Sequence, residues 1–211
     1  FKGNVQYLGP GIFSNCISLE SISLPKNIDY LNSESFRNCT SLTSVTIPNT
    51  IKTIHSYAFM SCINLKSVIF HENVTTIDNG AFCDCISLTS ISLPENITKI
   101  NEGCFMNCSS LKKISLPDSI TIIQKNCFIN CSSLTTISLP KYLEKLGESC
   151  FLNCSNLESI TIPTKTEGIE KQTFYSCINL KSITFEGNIK YLQSKAFYNC
   201  ISLASITFPD S

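Results

Sequence analysis

One interval governs this chain. Cysteine recurs at Cys16, Cys39, Cys62, Cys85, Cys108, Cys131, Cys154, Cys177 and Cys200, each 23 residues after the last. Phenylalanine keeps the same step from Phe13 through Phe105 to Phe197, and leucine from Leu19 through Leu111 to Leu203. Columns of Ile or Val (Ile22, Val45, Val68, Ile91) and of Leu, Ile or Phe (Leu24, Ile47, Phe70, Leu93) follow, then two more aliphatic columns such as Ile97 and Ile100. Chance does not hold one period through nine registers. A fixed period in the range of about 20 to 50 residues is the signature of a solenoid, in which each unit exposes an apolar face until a neighbour covers it.

Within one unit the local signals are clear. Leu88 to Leu93, LTSISL, has the leucine-rich-repeat spacing L-x-x-L-x-L. Its tail alternates apolar and polar residues, as a strand with one buried face does. Pro94 then ends the strand, because proline has no N–H to donate to a ladder. This column holds Pro in seven of nine repeats, with His71 and Glu186 as the exceptions. A second extended piece is expected at 97–100, a turn at 101–103, and a short helical or 3₁₀ turn at 104–107. Successive coils would place parallel strands ~4.8 Å apart and give a rod roughly 40 Å long. The expected architecture is an α/β, β-dominated leucine-rich-repeat solenoid. It would have about nine 23-residue coils, a parallel sheet on a concave face and helical or 3₁₀ turns opposite. Residues 1–211 are expected to form one domain. The first residue is Phe rather than Met, so a fragment of a longer array is expected.

The unit F-x-x-C-x-S-L-x-x-I-x-L-P, as in Phe105, Cys108, Ser110, Leu111, Ile114, Leu116 and Pro117, resembles the BspA-like class of leucine-rich repeats over nearly the whole chain. That resemblance implies a surface-protein context, cell-surface or extracellular, because the class includes adhesins of mucosal bacteria and protists. It names no ligand, since one repeat fold hosts many functions.

Composition narrows the partners. Sixteen basic and sixteen acidic residues cancel, which gives no electrostatic reason to expect nucleic acid or an anionic membrane. Apolar runs reach only three or four residues, far short of a span, so no direct membrane insertion is expected. The chain carries no basic, then apolar, signal-peptide pattern.

The nine regularly spaced cysteines do not offer the clustered pairs that zinc requires. An odd ladder of identical thiols has no preferred disulfide pairing, and buried packing as a small hydrophobe competes with both readings. Cys104, Cys127 and Cys150 lie four residues before ladder cysteines. They could serve a soft metal or a disulfide, yet other coils put Ala58, Ala81, Thr173 or Ala196 there, which points to small size. Cys83 and Cys85 form a lone C-x-C. His55 and His71 fall at different corners, and a nucleophile needs a base within hydrogen-bond reach. No converging acidic pair and no glycine-rich phosphate loop is present. The chain therefore reads as a non-enzyme, with no catalytic, cofactor-binding or metal residues and no cofactor.

Six N-x-S/T sequons occur, at Asn38, Asn73, Asn96, Asn107, Asn130 and Asn153. Four belong to the Asn-Cys step of the repeat, where Asn is expected to bond turn backbone. Asn73 and Asn96, in the open turn after the strand, are the better acceptors for a glycan.

Two surfaces compete as the binding site. The first is the strand face: Thr43, Ser44, Thr46, Lys66, Ser67, Ile69, Thr89, Ser90, Ser92, Lys112, Lys113, Ser115, Thr135, Thr136, Ser138, Glu158, Ser159 and Thr161. A parallel sheet usually has both faces covered, so an open one is free for a partner. The bland alternative is that its hydroxyls only keep the sheet soluble. The second is an apolar stripe, Met60, Cys83, Met106, Ile129, Leu152, Tyr175 and Tyr198 with Ile63, Ile86, Ile178 and Ile201, which could mark an interface or simply pack between coils. The leading expectation is a protein-binding or adhesion module that takes a protein or glycan ligand of a host or neighbouring cell on the strand face, with end-to-end or lateral self-association. The alternative is a rigid spacer array for functional domains elsewhere.

Overall fold

Residues 4–209 are described in the computed structural model; residues 1–3 and 210–211 of the expected domain lie outside them. The chain winds through about eight full turns, each contributing up to two short parallel strands. The first file runs Ser44–Thr46, Ser67–Ile69, Ser90–Ser92, Lys113–Ser115, Ser159–Ile162, Ser182–Phe185 and Ser205–Thr207. Its strands alternate outward and inward side chains, so Val45, Ile91, Ile114 and Ile160 enter the core. The second file runs from Tyr30–Leu31 through Lys99–Ile100 to Tyr191–Leu192. All pairings are parallel and shifted by one repeat: Ser90 faces Lys113 and Ile91 faces Ile114.

The proline column joins the two files. The carbonyls of Pro48, Pro94 and Pro117 accept the N–H of the residue three further on, Ile51, Ile97 and Ile120, a closed turn that proline suits at a position needing no donor. Where Glu186 replaces Pro, its N–H bonds Ile162 O at 3.0 Å, so the ladder continues one step further.

The expected helical turns are absent: among the described residues no helix of any kind forms. The backbone hydrogen bonds show why. Around Phe105, every second N–H stays local, as Cys104 to Asn101, Met106 to Gly103 and Cys108 to Phe105. The intervening ones cross to the next coil, as Gly103 to Lys125, Phe105 to Cys127 and Asn107 to Ile129. A helix needs all its N–H groups internally. This wall spends half of them holding coils together. Two positions per coil also have positive φ. One column contains Gly103 (φ 60°) and Asn126 (63°), and the other Asn107 (62°) and Asn130 (59°). Left-handed residues at this frequency exclude a right-handed helix.

The core is a set of self-stacked columns. Phe13 to Phe197 form one unbroken file of nine rings, with centroids 5.2 to 5.8 Å apart and planes within 16° of parallel. Phe36 through Phe174 are fully buried.

Candidate functional site

The cysteine ladder resolves into a hydrogen-bond device. Each thiol from Cys39 onward bonds the carbonyl of the Phe 26 residues earlier, in the preceding coil. Cys62 reaches Phe36 O at 3.0 Å, Cys108 reaches Phe82 O at 3.2 Å and Cys154 reaches Phe128 O at 3.1 Å. Each of those carbonyls already accepts the N–H of its own coil's Cys, so both lone pairs are used. All thirteen cysteines are free; only Cys16 is exposed and Cys200 half-buried. Burial pushes the Cys62 thiol up to about 12, helped by the neighbouring Cys39. Cys83 rises to about 12 from burial and then from the Asp84 carboxylate beside it. Burial also drives Cys104, Cys127 and Cys150 well above the ordinary thiol value. A thiolate is the reactive and metal-binding form, so these side chains are chemically quiet. No group of His, Cys, Asp and Glu with metal-holding geometry occurs among the described residues.

The asparagine column does not bond turn backbone as expected. Its side chains bond one another along the axis. Asn38 donates to Asn15 Oδ1 (2.8 Å), Asn107 to Asp84 Oδ1 (2.7 Å), Asn130 to Asn107 Oδ1 (2.7 Å) and Asn153 to Asn130 Oδ1 (2.9 Å). The residue type serves twice, since Asn also tolerates the positive φ of this position. Asn73 and Asn96, both exposed, also donate, to Asn49 O (2.6 Å) and Glu72 O (2.8 Å). Every sequon nitrogen thus holds a bond to the preceding coil.

Sequence reasoning missed one pair. His55 Nδ1 lies 3.0 Å from Asp78 Oδ2, both part-exposed, because the same column carries them one repeat apart. No hydroxyl or thiol bonds the other ring nitrogen among the described residues, so the pair has no attached nucleophile. His71 sits on the distant turn after its strand, and the two histidines do not meet.

All eighteen expected strand-face residues are exposed and lie on one wall. The backbone fixes their files: Lys66 N–H bonds Thr43 O (2.8 Å), Lys112 bonds Thr89 O (2.9 Å), Glu158 bonds Thr135 O (3.1 Å) and Lys181 bonds Glu158 O (2.8 Å). Thr135, Thr136 and Ser138 lie on this wall but not in a strand, so the file of strands is interrupted there. At the interruption Thr136, Ser138, Ser159 and Thr161 line an open depression of about 540 Å³, with Lys141, Asp118 and Glu186 at its edge. Ile69 is the one large apolar side chain among the eighteen, 57% exposed.

The apolar stripe is part coil-to-coil packing and part surface, with Ile86, Tyr198 and Ile201 exposed. Cys83 is buried, and Met60, Met106, Ile129 and Leu152 are half-buried. Tyr175 and Tyr198 stack at 4.9 Å. Tyr57, Met60, Cys83 and Met106 line a groove of about 430 Å³ flanked by Glu34, Arg37 and Glu102. A third, charged trough of about 800 Å³ lies by the second file, where Tyr191 covers Gly168 and its hydroxyl donates to Glu170 Oε1 at 2.9 Å. Sequence reasoning did not find it. The signal was Gly168 in a column otherwise filled by larger side chains.

The family profile described as BspA type Leucine rich repeat region (6 copies) matches residues 1–112 and 98–211. The chain belongs to this BspA-type leucine-rich-repeat family. No curated protein matches it. Among solved structures, a leucine-rich repeat protein from Bacteroides ovatus is similar at 27% identity and TM-score 0.73, covering 95% of this chain and 58% of that one. The T. pallidum leucine-rich repeat protein is similar at 24% identity and TM-score 0.60, covering 86% and 77%. The pneumococcal vaccine antigen PcpA shares the fold at 22% identity and TM-score 0.53, covering 78% and 50%. The BspA-type chain thus spans little more than half the length of the B. ovatus protein. No helix among its described residues is long and apolar enough to cross a membrane.

Proposed function

We propose that this BspA-type array is the non-enzymatic binding or adhesion module of a cell-surface or extracellular protein, and that it binds through its strand face. One observation carries this reading: a wall of eighteen side chains stands exposed along the parallel strands and no other element covers it among the described residues. Buried columns hold the coils rigid, so variation on that wall sets recognition without loop motion. The family supports a surface setting, and the partner class is a protein or glycan of a host or neighbouring cell. The same rigidity favours a second reading, a spacer: nine stacked rings and the thiol and asparagine ladders make a stiff rod.

The test uses beads coated with the purified chain and counted on an epithelial monolayer. Lys112→Glu with Lys113→Glu should lower attachment several-fold. The equal reversal Lys125→Glu with Lys171→Glu, on the turn wall, should leave it unchanged. Equal effects of both pairs would remove the strand face as the site, and no attachment by the wild type would favour the spacer.

A further inference from the structure

The strand face has a charge asymmetry that the whole chain lacks. From the coil of Thr43 to that of Thr135 it carries Lys66, Lys112 and Lys113 and no carboxylate. None of these three lysines forms an ion pair among the described residues. On the opposite wall two lysines are neutralised by the preceding coil, Lys125 with Glu102 at 3.2 Å and Lys171 with Glu148 at 3.5 Å, while Lys195 forms no ion pair among the described residues. Lys190 pairs with Glu167 at 2.8 Å beside the second file. Even on the strand face, Lys181 pairs with Glu158 at 3.1 Å, which closes the cationic stretch at one end. The acidic residues Glu72, Glu95 and Asp118 stand on the turns after the strands, Glu72 six residues after Lys66 and Asp118 five after Lys113, and Asp118 borders the depression at the Thr136 and Ser138 end of the wall.

Apart from the exposed Ile69, the rest of this stretch is hydroxyl, in files that run along the solenoid axis. Ser44 faces Ser67, Ser90 faces Lys113 and Ser92 faces Ser115. Except where Ile69 faces Thr46, a polar group repeats along each file every ~4.8 Å, and Lys66 and Lys112, two coils apart in one file, are separated by roughly 10 Å. Protein interfaces are anchored by aromatic, Met and Arg side chains in desolvated pockets; this stretch has none. Single-stranded nucleic acid needs aromatic platforms for its bases, which are also missing. A neutral sugar face would stack on an aromatic ring. What remains is a linear polymer whose units are themselves hydroxyl-rich, about as long as one coil spacing, and negatively charged at intervals.

Resting on the strand-face reading above, we infer that the wall from Thr43 to Ser138 binds a linear anionic polysaccharide, sulfated or uronate-bearing, laid along the solenoid axis across the strands. Lys66, Lys112 and Lys113 take its charged groups, and the Ser and Thr files exchange hydrogen bonds with its hydroxyls. The contacts are exposed, so binding weakens with salt as counterions are released.

The experiment flows the purified chain over immobilised heparan sulfate, with chemically desulfated heparan sulfate, neutral dextran and a single-stranded oligonucleotide as parallel surfaces. Heparan sulfate should retain the chain at low ionic strength and release it as salt rises. Dextran should not retain it, and the oligonucleotide should do so at least ten-fold less well. The triple change Lys66→Gln, Lys112→Gln, Lys113→Gln should weaken retention at least ten-fold, and the Arg triple should restore it. The matched triple Lys125→Gln, Lys171→Gln, Lys190→Gln removes the same net charge and should change it less than two-fold. Equal losses from the two triples, or equal retention on the oligonucleotide, would overturn the inference. So would a wild-type chain that ignores heparan sulfate. If the bead assay still depends on Lys112 and Lys113 in that case, only the ligand chemistry falls and the strand-face reading stands.

Discussion

Gly103 shows what one residue must supply here. It sits at φ 60° at the head of the turn wall, and a Cβ added to it would touch nothing nearer than Met106 at 4.0 Å. Gly103→Ala therefore isolates the backbone cost of a left-handed conformation, about 1–2 kcal/mol, readable as a lower urea midpoint with unchanged slope. In the same column Glu34, Tyr57 and Lys195 already hold positive φ, so the coil geometry outvotes residue preference when many neighbours share it. The proline column offers a second comparison. His71 N–H has no partner among the described residues, whereas Glu186 N–H bonds Ile162. His71→Pro should stabilise the chain by about 0.5–1 kcal/mol through the unfolded state. Glu186→Pro removes a ladder bond worth a similar amount and should show no such gain. If both substitutions raise the melting temperature equally, the ladder bond at Glu186 contributes nothing.

At the scale of the element, stability lives in columns rather than in strands of two to four residues. The phenylalanine file and the thiol bonds beside it are continuous, so damage in the middle should sever the array into two weaker halves. Phe105→Ala should cost about 3–5 kcal/mol, the range for truncating a buried Phe, and should give two unfolding transitions where the parent gives one. Phe13→Ala, at the end of the file where the ring is only partly buried, should cost markedly less and keep a single transition. Comparable losses at the two sites would show that each coil is stable on its own and that nearest-neighbour coupling does not dominate.

For the whole molecule, the buried thiols set an alkaline limit. A thiol ordinarily ionises near 9.0, and burial holds Cys39 at about 11 and Cys62 at about 12 and pushes Cys85, Cys108, Cys127 and Cys154 well above the ordinary value. The folded values are raised, so the unfolded chain loses protons first. The stabilisation is fully present below pH 9 and is lost as pH climbs toward the folded values. Each fully buried thiol removes about 1.4 kcal/mol per pH unit in that window. With so many acting together, the fold should collapse within one or two units above pH 9, and circular dichroism should show a steep alkaline transition with no counterpart between pH 6 and 8. Thiol reagent at pH 8 should meanwhile reach Cys16 rapidly and the half-buried Cys200 more slowly in the native chain, and all thirteen cysteines only after denaturation. Rapid native labelling of most thiols would contradict a closed core.

The repeat length, the strand at Ser90–Ser92, the second strand at Lys99–Ile100, the inward Phe, Cys and Leu columns and the outward Ser, Thr and Lys wall all follow from the order of residues, because each depends only on a period and on which side chains avoid water. The same logic placed the eighteen exposed residues on one face. The turn wall did not follow. A run such as Gly103 to Cys108 suits a helical turn by local preference, and only the presence of the next coil draws away the N–H groups of Gly103, Phe105 and Asn107. For the same reason the Asn ladder, the thiol-to-Phe carbonyl bonds and the His55–Asp78 pair were invisible: their partners lie 23 or 26 residues apart and meet only when coils stack. Sequence determined the period and the faces of this protein, which are local and additive; the tertiary structure decided where its hydrogen bonds close, which is a property of neighbouring coils.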